Sequence, residues 1–180
     1  MSNVSTKQGH ITRAGDNLTR EILGVFDGSE SVVKTGCGDI LWYSTDLPDD
    51  GILIECKDGS ANQVRPKCYC VVIIRELEKV IRSDGDHVRP TGRYFVIPPN
   101  DIIRFAVGRR GQHHIDPIAC LGFSIKSKFV QQYATDYSML REKVIAAYVA
   151  GKNDTKAWKF VETRKAQWAT QMEENEAAFT

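Results

Sequence analysis

The sequence predicts an α/β protein in which a β-sheet core is flanked by helices and followed by a C-terminal helical pair. A hairpin indicates the sheet, because strand-forming residues at 40–43 and 52–54 enclose a polar turn that contains Pro, Asp and Gly. A continuous apolar run at 68–74, rich in β-branched residues, has the character of a buried central strand. The chain of 180 residues has the length of one domain and can bury a sizeable core.

The N-terminal part divides into an arm and a helix. Residues 1–16 are polar and are expected to form a flexible arm. The apolar residues that follow recur at helical spacing: Leu18, Ile22, Val25 and Phe26. They predict a helix that starts at Asn17 and ends at Gly28, with a short strand at 31–34 after it. The folded core is therefore expected to span residues 17–130.

The middle of the chain is predicted to continue the sheet. After the run at 68–74 we expect a short irregular or helical piece and then a charged loop at 83–92. A strand at 93–97 ends at two prolines, a helix follows at 101–107, and another strand is predicted at 119–125.

Two helices are predicted within residues 131–180. The first runs from Tyr137 to Ala150 and places four apolar residues on one face: Leu140, Val144, Ala147 and Tyr148. Asp154 caps the second, along which large apolar residues recur at wide helical intervals: Val161, Trp168, Met172 and Phe179. Because such a surface must be covered, the helices are expected either to pack on the core or to form a homodimer interface.

The composition excludes some classes of function. The net charge of +1 gives no overall attraction to nucleic acid, so any DNA contact must come from a local patch. No apolar run approaches the roughly 18 residues that a membrane span needs, so no membrane partner is expected. The five cysteines include no Cys-x-x-Cys pair, and Cys56, Cys68 and Cys70 lie in apolar runs, where free cysteine behaves as a small hydrophobe. This usage predicts a cytoplasmic location and argues against structural zinc.

Three residues of the predicted hairpin carry its chemistry. Glu55 and Lys57 share one face of the second strand, because successive side chains alternate between faces. Asp39 begins the partner strand, and it shares their face only if it lies opposite Glu55 or Lys57. Asp49, which follows Pro48 in the turn, is the fallback for the first acid.

The segments Gly-Asp-Ile, Ile-Leu-Ile and Glu-Cys-Lys resemble the PD-(D/E)XK nuclease superfamily, whose signature is an acid, a variable spacer and then Asp/Glu-x-Lys on the next strand. The matching residues are Asp39, Glu55 and Lys57, and the resemblance is good over 17–57 and only in outline elsewhere. It implies a restriction-endonuclease-like mixed β-sheet core flanked by helices. It also implies Mg²⁺-dependent hydrolysis of DNA phosphodiester bonds, in which Mn²⁺ can replace Mg²⁺.

The resemblance also implies a role for each site residue. Asp39, Glu55 and the backbone carbonyl of Cys56 would hold one Mg²⁺, a hard ion that prefers oxygen ligands. Lys57 would orient the attacking water or help to deprotonate it. Glu21, on the preceding helix, is either a third acid that reaches the metal or orients Lys57, or a glutamate at the solvent boundary of that helix.

DNA contacts are expected from basic and amide side chains in two regions. A glycine-bracketed segment and the residues after the next strand suit contacts with phosphates and base edges, although a solvated basic loop is the alternative. The expected DNA-binding residues are Gln63, Arg65, Arg109, Arg110, Gln112, His113, Lys126 and Lys128. The predicted function is that of a Type II restriction endonuclease that cuts duplex DNA as a homodimer. The alternatives are a Holliday-junction-resolvase-like nuclease and a catalytically silent DNA-binding module.

Overall fold

The computed structural model describes residues 18–26, 30–31, 37–108 and 119–179. The predicted arm at 1–16 lies outside this part of the chain, as does most of the predicted strand at 31–34. The helices in chain order are α1 (18–23), α2 (Pro99–Gly108), α3 (Lys128–Gln131), α4 (Leu140–Asn153) and α5 (Thr155–Phe179). The strands are β1 (Glu30–Ser31), β2 (Ile40–Tyr43), β3 (Gly51–Asp58), β4 (Ala61–Val64), β5 (Val71–Arg82), β6 (Gly85–Ile97), β7 (Leu121–Phe123) and β8 (Ala134–Asp136).

The fold is a mixed α/β architecture, which confirms the predicted class. Six strands form one sheet in the order β1-β2-β3-β5-β6-β8, and β4 pairs with β7 in a second sheet. Strands β3 and β5 are parallel, whereas the other neighbouring strands of the large sheet are antiparallel. The predicted hairpin is β2–β3, and the apolar run at 68–74 contributes the start of the central strand β5.

Apolar side chains cover both faces of the large sheet. On one face, α1 and α4 bury the apolar stripes that helical spacing predicts, which include Leu18, Ile22, Leu140 and Val144. They pack on buried residues of the hairpin and of β5: Ile40, Trp42, Ile52, Ile54 and Ile73. On the other face, α2, α3 and the small sheet cover Val72, Ile74, Phe95 and Ile97. Alternate residues of β3 and β5 therefore belong to different layers.

The charged segment predicted as a loop at 83–92 is mostly strand. β5 and β6 form a long hairpin that turns at Ser83–Asp84, just before Gly85 at φ +121°. Its exposed charges pair across the strands: Arg89 Nε contacts Glu78 Oε1 at 2.5 Å, and Lys79 contacts Asp86. Since opposite charges on facing residues stabilise an antiparallel pair, high charge does not indicate a loop here. The helix predicted at 101–107 is confirmed as α2, and the strand predicted at 119–125 is shorter, as β7.

The second C-terminal helix begins after its predicted cap, whereas the helix predicted from Tyr137 to Ala150 is a 3₁₀ turn at Tyr137–Met139 followed by α4 at Leu140–Asn153. Asp136 accepts the backbone N–H of Met139 in a 3₁₀ turn that leads into α4, and Asp154 accepts the N–H of Ala157 in α5 at 3.1 Å. Val161 is fully buried, but Trp168 and Met172 are 45% and 58% exposed. Within the described part of the chain, the predicted apolar stripe of α5 is thus covered only at its N-terminal end. None of the helices within the described ranges has both the length and the apolar character needed to cross a membrane.

Candidate active site at the β2–β3 hairpin

The two predicted acids lie next to the end pair of the β2–β3 hairpin. Ile40 of β2 lies opposite Ile54 of β3, and the backbone N–H of Asp39 donates to the carbonyl of Ile54 at 2.8 Å. Asp39 directly precedes this pair and Glu55 directly follows it, and the side chains of both acids line one cleft. Asp49 is exposed in the turn, away from both acids.

Glu55 and Lys57 lie on the face of the large sheet that α1 does not cover. Cys56, between them, is buried with α1 and α4, whereas Val72, the β5 neighbour of Glu55, belongs to the other apolar layer. Lys57 Nζ contacts Glu55 Oε1 at 2.5 Å, and each side chain is 21% exposed. This ion pair is therefore partly shielded from water, where its attraction is stronger than on an open surface.

A cleft of about 290 Å³ is lined by the hairpin residues and by two of the predicted DNA-binding residues. Five sequence-predicted residues line it: Asp39, Glu55, Lys57, Gln63 and Arg65. The hairpin supplies the acids and the lysine, while β4 and the residue after it supply the amide and the guanidinium. A cleft with two carboxylates, an amine and a guanidinium can bind a metal ion and a phosphate group together.

The backbone holds the Asp39 carboxylate in place. Its Oδ2 accepts the N–H of Cys56 at 2.7 Å, so the side chain reaches across to the partner strand. Gly38, which precedes it, has φ +78°, and a Cβ there would lie 3.4 Å from the carbonyl oxygen of Ile54. Glycine thus permits the left-handed turn that directs Asp39 into the cleft.

Burial and the nearby acids raise the pKa of two thiols, Cys56 and Cys70. Burial, with the charges of Glu55 and Asp39, raises the pKa of Cys70 to about 12. Burial and then the charge of Asp39 also raise the pKa of Cys56 far above its usual range. Both side chains therefore stay neutral thiols near pH 7.

The two carboxylates of the cleft fit the implied Mg²⁺ better than they fit zinc. Within the described ranges, no group of three or more His, Cys, Asp or Glu side chains is placed to hold a metal ion. Mg²⁺ binds through one or two carboxylates and keeps several waters, whereas structural zinc needs four side-chain ligands. Asp39 and Glu55 supply a donor set of the first kind. The contact expected from the backbone carbonyl of Cys56 stays a prediction.

Glu21 lies on the opposite face of the sheet and does not line the cleft. Its carboxylate accepts Arg75 Nη1 at 2.5 Å and the hydroxyl of Tyr94 at 2.5 Å. Arg75 also binds Asp58 through two hydrogen bonds of 2.9 and 2.6 Å. Asp58, Arg75 and Tyr94 are neighbours across β3, β5 and β6 on the face that α1 covers. The structure thus corrects the expectation that Glu21 reaches the metal or orients Lys57, because Arg75 and Tyr94 hold it.

The remaining predicted DNA-binding residues lie outside the cleft or outside the described residues. Lys126 and Lys128 are exposed on either side of Ser127, whose hydroxyl caps α3, and neither lines the cleft. The basic segment falls in the range 109–118, which the structure does not describe: Arg109, Arg110, Gln112 and His113.

A disulfide borders the cleft and corrects the expectation that Cys68 is a free, core-like thiol. Cys37 and Cys68 are bonded, with their Cα atoms 5.3 Å apart. Cys68 lines the cleft, and Cys37 precedes Asp39 by two residues. The bond therefore ties the start of the hairpin to the 3₁₀ turn Pro66–Cys68. A pairing across 31 residues leaves no local pattern that sequence reasoning can find.

Breaking this disulfide is expected to lower the free energy of unfolding by about 2–4 kcal/mol, because the cross-link restricts a loop of the unfolded chain. Urea unfolding of Cys37→Ser beside the wild-type protein measures the loss. The matched control is Cys120→Ser, which removes an exposed free thiol and should change the free energy by less than about 0.5 kcal/mol. Dithiothreitol should destabilise the wild type but not Cys37→Ser; equal sensitivity of the two would contradict the pairing.

Comparison with known proteins identifies no relative that shares this site. No protein-family model, no curated protein and no solved structure matches the chain. The resemblance to the PD-(D/E)XK superfamily rests on the sequence pattern within residues 17–57.

Proposed function

We propose that the protein is a metal-dependent endonuclease that hydrolyses phosphodiester bonds of DNA in the cleft of Asp39, Glu55 and Lys57. One observation carries the proposal. Asp39, which precedes β2, lines the same cleft as Glu55 and Lys57 of β3 and as Gln63 and Arg65. The combination provides groups for a cation, for water and for a phosphate at one place.

Mg²⁺ bound by Asp39 and Glu55 would polarise the phosphate and lower the pKa of a bound water. The Asp39 carboxylate is already oriented by the N–H of Cys56, so little rearrangement is needed on substrate binding. Lys57 has three N–H donors, one of which points to Glu55, so the ammonium can also orient a water and offset charge that grows on the phosphate oxygens.

Gln63 and Arg65 position the DNA. Gln63 adopts φ +57° within β4, where the pairing with β7 is irregular, and its side chain lines the cleft. An amide can bond a base edge or a phosphate, and a guanidinium binds phosphate oxygens through paired hydrogen bonds. Both side chains line the same cleft as the acids, so a DNA strand bound there would meet all four residues.

The finer parts of the proposal are a restriction-endonuclease-like sheet and a homodimer that cuts both strands of a duplex, as Type II restriction endonucleases do. Support comes from the order of α1, the acid at the start of β2 and Glu-x-Lys on β3. The same cleft chemistry serves a Holliday-junction-resolvase-like enzyme, which differs in the DNA it accepts.

The test is incubation of the protein with plasmid, linear and four-way-junction DNA, with Mg²⁺, with Mn²⁺ and with a chelator. We expect cleavage that requires the metal, with discrete plasmid fragments for a restriction enzyme and junction-only products for a resolvase. Salt-dependent binding without any cleavage would replace the proposal with a silent DNA-binding module. Absence of both binding and cleavage would remove the nucleic-acid function altogether.

A further inference from the structure

A second cavity, of about 340 Å³, lies beside the candidate active site. The two share Cys68, Tyr69 and Pro99 in their walls. The rest of the second wall is largely apolar and aromatic, with Tyr148 and Trp158 from the C-terminal helices. A ligand in the first cleft thus has an aromatic site directly next to it.

Contacts between elements hold the aromatic wall in position. The Tyr69 hydroxyl donates to the carbonyl of Gly151 at 2.8 Å, and the Tyr69 and Trp158 rings meet edge to face with centroids 5.0 Å apart. A Cβ on Gly151 would lie 2.5 Å from Cγ of Pro99, so α4 and α2 are in close contact. The cavity is therefore preformed, which favours binding of a rigid planar group.

The edge of the cavity carries charge of both signs. Lys152, which lines the cavity, contacts Asp50 Oδ2 at 2.7 Å through Nζ. Lys165 is not a lining residue; its Nζ contacts Glu162 at 3.2 Å and lies 5.5 Å from the centre of the Trp158 ring. Burial, followed by the charge of Asp50, raises the pKa of Tyr148, whose protonated hydroxyl interacts with the Asp50 carboxylate. The Lys152 ammonium has three N–H donors, so beside its contact with Asp50 it can also bond the polar edge of a heterocycle.

We propose that this cavity holds an unpaired nucleobase of the DNA strand whose phosphate occupies the neighbouring cleft. The inference rests on the proposed function and, of its two forms, favours the structure-selective nuclease over a restriction enzyme that cuts intact duplex: the substrate class is DNA with an unpaired nucleotide beside the bond to be cut. Every base presents a planar face that stacks on aromatic side chains, and a base inside an intact duplex cannot reach such a site unless it is extruded. The shared wall residues keep the base next to its own phosphate.

Anisotropy of a labelled single-stranded oligonucleotide, measured in a chelator so that nothing is cut, tests the base site. Trp158→Ala should weaken binding about 5- to 100-fold, whereas Trp158→Phe, which keeps an aromatic face, should recover most of the affinity. Tyr137→Ala is the matched control, because Tyr137 is a similarly exposed aromatic residue, at 44% against 45% for Trp158, and it lines neither cavity. Thermal unfolding of each variant separates lost binding from lost folding.

An abasic site in the oligonucleotide should weaken binding to the wild type and make no difference to Trp158→Ala. The inference is overturned if Trp158→Ala binds like the wild type, or if free phenylalanine displaces the fluorescent strand while a nucleoside monophosphate does not. Cleavage distinguishes this failure from failure of the proposed function. If metal-dependent cleavage is unaffected by Trp158→Ala and by unpaired bases, only this inference fails. If DNA binding depends on the unpaired base but no DNA is cleaved, only the proposed hydrolytic function fails.

Discussion

Replacing Lys57 with alanine is expected to lower the rate of DNA cleavage by about 10²- to 10⁴-fold, the range contributed by a well-placed proton-transfer group. The ammonium lies 2.5 Å from Glu55 inside the cleft, where it can orient water and offset charge on the phosphate. Neither acid is removed, so the cleft keeps its carboxylates. Single-turnover cleavage measures the rate, and anisotropy in a chelator should show DNA binding largely unchanged.

Lys79→Ala is the matched control for this variant. It also removes a lysine paired with a carboxylate, but Lys79 and Asp86 lie exposed on the β5–β6 hairpin, away from the cleft. Its cleavage rate should match that of the wild type. The role of Lys57 is contradicted if the two variants cut equally well, or if Lys57→Ala loses DNA binding and cleavage in the same proportion.

The second large effect concerns stability: Arg75→Met is expected to lower the free energy of unfolding by about 3–5 kcal/mol. The Arg75 and Asp58 side chains are 9% and 7% exposed, and two hydrogen bonds join them. Methionine fills similar space but leaves the Asp58 carboxylate buried without its cation. The same change removes the guanidinium that holds Glu21. Urea unfolding followed by far-UV circular dichroism measures the loss.

Arg89→Met provides the comparison, because it breaks an ion pair of the same type whose side chains are 59% and 43% exposed. Water screens such a pair, so the expected cost is below about 1 kcal/mol. Adding Asp58→Asn to Arg75→Met should restore part of the stability, since the unpaired charge is then removed. If Arg75→Met and Arg89→Met lower the free energy of unfolding equally, the ion pairs of Arg75 with Asp58 and Glu21 do not hold α1 on the sheet.

Local sequence patterns were sufficient to predict the β2–β3 hairpin and the proximity of Asp39 and Glu55. The alternation of side chains in a strand puts Glu55 and Lys57 on one face without any knowledge of the fold. Strand formers on both sides of a turn rich in Pro, Asp and Gly indicate that β2 returns as β3, which brings Asp39 near Glu55. Capping residues such as Asp154 likewise mark helix starts, because their contacts span only three residues.

Features that depend on distant parts of the chain were not predictable from the sequence. Glu21 meets Arg75 only because α1 packs on β5 across the sheet, and the register of the parallel pair β3–β5 has no local signal. The Cys37–Cys68 bond and the contact of Tyr69 with Trp158 join segments that are far apart in sequence. The β5–β6 hairpin was missed for a different reason. Its charges pair with each other across the strands and so resemble those of a solvated loop.

The most direct test of the hydrolytic cleft is Mg²⁺-dependent DNA cleavage by the wild type beside Asp39→Asn and Glu55→Gln. Both variants keep the shape of the acid and remove its charge, so they should fold and bind DNA while the wild type alone cuts it. A wild-type protein that cuts no DNA form with Mg²⁺ or Mn²⁺, or acid variants that cut as fast as the wild type, would contradict the proposed function.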